Sequence, residues 1–347
     1  MRTLAWCAVL VALRTAGGTS FDFTTLEFSL GTEAFGINNR GDIVGVTFGT
    51  LDAIPFVYSN GVLQPLPVPG IPSGVNDAGQ VVGSFEIGAL QHAFLYSGGA
   101  VTQIDYPGAF QSEALAINSA GVVYGEWEGT AGQGHGYLYQ NGVFTDLSLP
   151  DHSYWSSQRG GINDAGVIAT TLLGIPGSPG VVWDHGTLAQ VNYPGADFSY
   201  VYGINNRGDL VGIYGAGGFY SWAYIDGEFS PVIFSPPGSG DKVNAINDAD
   251  QIVGTYPNQF GRLYTFVGEP VPEAASGIMF AGGAVLLCGF RVSAGARRRR
   301  MLRTAGVQCL MLATWTMRSL ETCRRLNHGS DSRMSQPMMF VAACLRL

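Results

Sequence analysis

From residue 34 to residue 267 the chain repeats one alternation of apolar and polar positions. Six segments carry it: INNRGDIVG from Ile37, VNDAGQVVG from Val75, INSAGVVYG from Ile117, INDAGVIAT from Ile162, INNRGDLVG from Ile204 and INDADQIVG from Ile246. Each sets a polar, Asn-led turn between one apolar residue and a β-branched run, and successive segments start 38, 42, 45, 42 and 42 residues apart. A second element recurs between them as PFVYSNGVLQPL, HAFLYSGGAVTQI, HGYLYQNGVFTDL, GVVWDHGTLAQV and SWAYIDGEFSPV. Apolar runs of this length, rich in Val, Ile, Phe and Tyr and bounded by Gly, Asn and Asp, predict strands. Each repeat predicts four of them: one ending at Ile-Asn, one through IVG, one through FLY and one after Asn-Gly or Asp-Gly. The punctuating residues accept the positive φ that tight hairpins need, so consecutive strands pair as a meander.

A four-stranded meander of about 42 residues has the size of one propeller blade. The residue two before the motif Asn is always small: Gly36, Gly74, Ala116, Gly161, Gly203 and Ala245. That suits the strand nearest a propeller axis, where backbones converge and bulky side chains would clash. The sixth repeat offers only three strands before Glu269, and FDFTTLEFSLGTEAFGIN from Phe21 matches the fourth-strand pattern VTQIDYPGAFQSEALAIN from Val101. The expected fold is all-β, a six-bladed β-propeller over residues 21–268 closed by the N-terminal strand, which leaves no open sheet edge. An open β-solenoid of stacked repeats is the alternative.

Composition narrows the class. Glycine, 50 of 347 residues, stands at about twice its usual ~7%, which excludes a typical helical or coiled-coil protein. A hydrophobic fraction of 46% and an aromatic fraction of 12% exclude a disordered chain. Residues 1–290 hold 7 basic and 24 acidic side chains, whereas 291–347 hold 11 and 2. An acidic body whose only lysine is Lys242 argues against nucleic-acid binding, which needs clustered cations. All five cysteines, Cys7, Cys288, Cys309, Cys323 and Cys344, lie outside the repeats, so the body needs no disulfide and folds in an oxidising compartment without mispairing.

Both ends read as addresses. Arg2, the apolar run Leu4 to Leu13 and the small residues Ala16 to Ser20 predict a secretory signal peptide over residues 1–20. Residues 274–290 form an uncharged 17-residue stretch followed by Arg291 and by Arg297, Arg298, Arg299 and Arg300, the pattern of a membrane helix with a cytoplasmic basic flank. An ordinary C-terminal anchor helix would also fit. Val271, Pro272 and Glu273, then the apolar stretch, then the arginines, resemble the PEP-CTERM sorting signal of Gram-negative bacteria over residues 269–300, with Ala274 where that family usually has a second Pro. The resemblance implies transient inner-membrane anchoring, processing by an exosortase-type enzyme and export to the cell surface or matrix, often beside exopolysaccharide production. The repeats in turn resemble the HAF family of extracellular repeats, named for the tripeptide found here as His92, Ala93 and Phe94. Residues 301–347 lose the glycine, gain Met, Cys and Arg, and read as a read-through extension without a fold of its own.

Chemistry is sparse along the repeats. The recurring Asn-Asp-x-Gly suggests calcium ligands, yet Ser119 and Asp250 break it, and turn formation accounts for it without a metal or any other cofactor. His92 and His135 occupy equivalent repeat positions, which marks them as strand residues, while His185 falls in a turn and His152 in a loop. No Ser-His-Asp order, HExxH or phosphate loop stands out, so no catalytic residue is assigned. The variable loops on one propeller face gather Trp127, Tyr154, Trp155 and Tyr193 with Glu126 and Asp151, and rings beside carboxylates suit carbohydrate. Rings packed between blades would give the same sequence. The expected function is a non-enzymatic, surface-sorted binding or structural protein. A glycan hydrolase or lyase using Glu126, Glu128 or Asp151 is the first alternative, and a protein scaffold the second.

Overall fold

The computed structural model describes residues 18–26, 31–49, 52–130, 132, 134–147, 154–155, 159–173, 177–234 and 240–271. The chain divides into two units, residues 1–273 and 274–347, and the second lies outside the described residues. The predicted signal peptide through residue 17, Pro272, Glu273, the candidate span 274–290, Arg297 to Arg300 and the extension 301–347 also lie outside them. Among the described residues no helix is long and apolar enough to cross a membrane.

The first strand is β1 (Phe21–Leu26), and six antiparallel sheets follow in chain order. Blade 1 is β2 (Gly31–Ile37), β3 (Ile43–Phe48), β4 (Ala53–Ser59) and β5 (Val62–Pro65). Blade 2 is β6 (Ile71–Val75), β7 (Val81–Ile87), β8 (Leu90–Ser97) and β9 (Ala100–Gln103). Blade 3 is β10 (Gln111–Ile117), β11 (Val123–Glu128), β12 (Gly134–Gln140) and β13 (Val143–Asp146). In blade 4 the inner strand is broken into β14 (Tyr154–Trp155) and β15 (Gly161–Ile162), both pairing β16 (Ile168–Leu173), with β17 (Gly180–Asp184) and β18 (Thr187–Val191) outside. Blade 5 is β19 (Phe198–Ile204), β20 (Leu210–Gly215), β21 (Phe219–Ile225) and β22 (Glu228–Val232). Blade 6 is β23 (Lys242–Ile246), β24 (Ile252–Pro257) and β25 (Leu263–Pro270), and β1 completes it as the outermost strand, with Phe21 opposite Pro270 and Leu26 opposite Thr265. The result is the six-bladed propeller with N-terminal closure, not the open solenoid.

Local chemistry explains each step of the repeat. The outer hairpins turn on Asn60-Gly61 (φ 51° and 81°) and Asn141-Gly142 (φ 50° and 87°), the double positive φ of a type I′ turn. The IVG glycine faces the ring of the next strand: Gly45 lies opposite Phe56, Gly83 opposite Phe94, Gly125 opposite Tyr137, Gly212 opposite Trp222 and Gly254 opposite Phe266. A Cβ on Gly125 would sit 2.4 Å from the Tyr137 ring, so the aromatic side chain occupies the space the glycine leaves. Blade 4 alters both partners together, setting Thr170 opposite Val181. Near the axis, a Cβ on Gly36 would lie 3.1 Å from the Gly74 Cα, and one on Gly203 3.2 Å from the Ala245 Cα. The small residue two before each motif Asn is therefore set by backbone against backbone.

The core lies between blades rather than at one centre. Val44, Leu66, Val75, Val81 and Phe94 pack blade 1 on blade 2, and Ala169, Val201, Ile204, Leu210 and Trp222 pack blade 4 on blade 5. Outermost strands are the exposed ones, as β9 shows along its whole length.

Candidate functional site

The two ends of the axis carry different chemistry. At one end the six motif asparagines close a ring of side-chain hydrogen bonds. Asn38 Nδ2 donates to the Asn76 carbonyl (3.0 Å), Asn76 to Asn118 (3.0 Å), Asn118 to Asn163 (3.1 Å), Asn163 to Asn205 (3.3 Å), Asn205 to Asn247 (3.2 Å) and Asn247 back to Asn38 (3.0 Å). The Oδ1 of the same side chain caps its own turn: that of Asn38 accepts from the backbone N–H of Arg40 (3.0 Å) and Asp42 (2.9 Å). Each amide thus folds one hairpin and staples it to the next blade. A second circle follows one residue on, where the Asp164 and Asp248 carboxylates accept from Asn206 Nδ2 at 2.9 and 2.8 Å and Asp77 accepts from the Asn39 N–H at 2.8 Å. These oxygens are already engaged with amides. Among the described residues no group of three His, Cys, Asp or Glu side chains is placed to hold a metal. Asp250, which stands where the other turns have Gly, takes the same left-handed backbone (φ 58°) and pairs with Arg207.

At the other end, on the side of the variable loops, the axis opens into a funnel of about 890 Å³. Its wall is made by the inner strands: Glu33 and Phe35 from β2, Glu113 from β10, Tyr200 and Tyr202 from β19, and Lys242 and Asn244 from β23. Arg159, in the gap between β14 and β15, forms the floor. It belongs to blade 4, yet its Nη2 lies 3.3 Å from the Glu33 Oε1 of blade 1, directly across the ring. The guanidinium also rests 4.6 Å from the centroid of Phe35 and 5.8 Å from that of Tyr202, a cation over two aromatic faces. The side chain crosses the axis and ties opposite blades. Two glycines permit this: a Cβ on Gly160 would lie 2.8 Å from the Tyr124 ring, and one on Gly161 2.8 Å from the Ile204 nitrogen.

Burial sets the protonation of the funnel. It draws the Arg159 guanidinium below its ordinary value, against the opposing pull of Glu33. Tyr202 is pushed up to about 12 by burial, so its hydroxyl keeps its proton. Glu113 is raised by burial alone. Among the described residues its carboxylate has no hydrogen-bond or ion-pair partner, and its cross-strand neighbour is a second acid, Glu126. Asn244, only 2% exposed, spends its Nδ2 on the Ala34 carbonyl (2.6 Å), and its Oδ1 is without a partner among the described residues.

The residues expected on the loop face divide. Trp127, next to last in β11, has its ring stacked on Tyr106 (4.5 Å, 4°) and on His135 (4.5 Å, 23°). Tyr193 stacks on Tyr214 at 3.9 Å and meets Phe229 edge-on at 5.6 Å. Both neighbourhoods follow from Tyr-Pro-Gly turns, closed by Ala109 N–H to the Tyr106 carbonyl (3.0 Å) and Ala196 N–H to the Tyr193 carbonyl (3.2 Å), which lay the tyrosine of each inter-blade connection on the blade that follows it. These rings serve packing. Glu126 accepts from the Tyr124 hydroxyl at 3.1 Å and pairs with Glu113 across the strands, while Glu128 accepts from Gln111. Tyr154 and Trp155 pair through their backbone with Leu173 and Leu172. Asp151 and His152 lie outside the described residues. His92 pairs with Asp105 at 2.7 Å away from the funnel, and His185 occupies a hairpin at φ 47°. Val271 is described, its N–H donating to the Ser20 carbonyl at 2.9 Å.

The residues that line the funnel escaped the sequence reading, though a signal existed. Five residues before the motif Asn the six repeats read Glu33, Ile71, Glu113, Gln158, Tyr200 and Lys242, and four before it Arg159 replaces Ala34, Pro72, Ala114, Val201 and Val243. The funnel is lined where the repeat departs from itself.

No protein-family profile matches the chain, and no curated protein matches it in sequence. Solved structures of similar shape are propellers. TolB from Acinetobacter baumannii is 13% identical with a TM-score of 0.42, over 70% of this chain and 56% of that one. The β-propeller domain of the Trilobed protease from Pyrococcus furiosus is 9% identical with a TM-score of 0.42, over 70% and 86%. A protein of unknown function from Bacteroides thetaiotaomicron is 10% identical with a TM-score of 0.48, over 72% of each chain. The chain thus spans little more than half of TolB, and at such identities the likeness concerns architecture alone.

Proposed function

We propose that the chain is exported to the cell surface or extracellular matrix, where its propeller binds a glycan in the axial funnel and holds it without turnover. The funnel carries this reading: about 890 Å³, walled by Phe35, Tyr200 and Tyr202 beside Glu33 and Glu113, it offers ring faces for sugar C–H groups and acids for hydroxyls. Export rests on the terminal signals and on the cysteine-free repeats. In this reading residues 1–20 are removed, 274–290 anchor the chain transiently in the inner membrane, and an exosortase-type enzyme acts near Val271, Pro272 and Glu273. The acidic body has no nucleic-acid partner. Equilibrium binding of the full-length chain to the exopolysaccharide of its native host tests it: saturable binding that falls with Tyr200→Ala, without new reducing ends, is the expected result. Absence of binding would end the reading.

One observation favours a second reading, a glycan hydrolase or lyase: Glu113, whose acid form burial favours, stands cross-strand from Glu126. There Glu113 would protonate the departing oxygen while Glu126 draws a proton from water. Reducing ends that appear with the parent chain and disappear with Glu126→Gln would select it.

A further inference from the structure

The charges around the funnel do not balance one another. Glu33 is taken by Arg159, and Glu86 at the rim accepts from Gln91 Nε2 at 3.0 Å. Glu113 is left without a counter-charge. Lys242 stands across the ring in blade 6, and among the described residues it makes no ion pair that would bring it to blade 3. The partner of Glu113 in the strand register, Glu126, is a second acid and supplies no counter-charge. Burying a carboxylate in such a place is costly unless something supplies a positive charge and a proton donor.

A second acceptor lies in the wall of the same cavity. Asn244 lines the funnel at 2% exposure, and its Oδ1 is without a donor among the described residues. An unfilled buried acceptor normally marks a missing hydrogen-bond donor. Glu113 thus lines a cavity whose remaining wall includes Tyr200 and Phe85, while the Asn244 acceptor lies closed off in the opposite wall. An acidic ligand would find Glu113 and Glu86 against it, with Lys242 as the one cation at the funnel not already paired among the described residues.

We infer that the funnel takes an amino sugar: a glycan residue whose free primary ammonium pairs with Glu113 while its ring lies along the aromatic wall. This rests on the glycan-binding reading and narrows it to one chemical class. An ammonium satisfies the Glu113 carboxylate, and aromatic faces attract a cation as well as sugar C–H groups.

Calorimetric titration of the full-length chain with four probes tests it: a glucosamine tetramer, an N-acetylglucosamine tetramer, a galacturonic acid tetramer and tetralysine. The glucosamine tetramer is expected to bind about tenfold or more tighter than its acetylated counterpart, and Glu113→Gln to erase that advantage. Asp184→Asn, which removes an exposed charge far from the axis, should leave it intact and so exclude attraction by the acidic body at large. A thermal melt of each variant confirms that it is folded. If the acetylated or uronic tetramer binds as well as the glucosamine one, or if Glu113→Gln changes nothing, the ammonium inference is overturned while glycan binding survives. If no saccharide binds, both readings fall. Equal binding of tetralysine at Glu113 would assign the funnel to cationic peptides and overturn the sugar.

Discussion

At the scale of the residue, the asparagine ring and the funnel acids respond in opposite directions to mutation. Asn118 joins two hydrogen bonds in a buried place, donating to the Asn163 carbonyl (3.1 Å) and accepting from the Val122 N–H (2.9 Å). Asn118→Ala is expected to cost about 2 to 4 kcal/mol in urea denaturation, because it orphans groups on two blades, whereas exposed Asn192→Ala should stay within about 0.5 kcal/mol. Glu113 behaves otherwise. Its folded-state pKa is raised above the ordinary 4.5, so the fold favours the neutral acid, and stability present below 4.5 is lost as pH rises through the raised value. Glu113→Gln should therefore melt above the parent at pH 8, by roughly 2–4 °C for each kcal/mol recovered, and level with it near pH 4. A variant that melts lower at pH 8 would mean that the carboxylate has a stabilising partner. Arg159→Met leaves half-buried Glu33 without its cation, with an expected loss of about 3 kcal/mol, and the double change with Glu33→Gln should recover much of it.

The element that decides closure is β1. Phe23 on this strand meets Phe234 at 5.2 Å and Phe266 at 5.4 Å, both edge-on, so the N-terminal strand is held by side chains as well as by its ladder. Phe23→Ala is expected to cost about 3 kcal/mol. Deleting residues 21–26 bares the β25 edge and should shift the elution profile toward larger species than the parent chain gives. Strands were legible in the chain because each apolar run ends at an Asn, Asp or Gly with one physical task, and the missing fourth strand of the last repeat announced where β1 must go. The break between β14 and β15 was not legible. The INDAG motif of that repeat is intact, and what separates it from its neighbours is the pair Arg159-Gly160, the glycine's meaning appearing only when Tyr124 is seen against it. Trp127 and Tyr193 are ambiguous in sequence for a related reason. An aromatic beside a turn has the same sequence whether its ring faces solvent or, as here, Tyr106 and Tyr214.

The whole molecule is a ring in which every blade leans on two others, so contacts between distant repeats depend on how far the ring curves. Arg159 and Glu33 are 126 residues apart and meet only because six blades bring opposite walls within one side chain's reach. Nothing in a single repeat encodes that distance. Continuity around the ring also predicts that the point of chain entry is interchangeable. A permutant that links Val271 to Ser20 and begins at the exposed Gly98-Gly99 hairpin should fold with a single cooperative melt, since it makes covalent what is now a 2.9 Å hydrogen bond. Separate transitions for separate blades would contradict it. That same bond has a mechanical meaning. Residues 20 and 271 leave side by side from the antiparallel pair β1–β25, so tension applied between them loads one rung of the ladder at a time and peels the ring open like a zip. Tension between residue 271 and a polymer gripped in the funnel takes another path, spreading through the inner strands and their asparagine hoop. A tether at one end and a cargo on the axis would leave the weakest seam unstressed.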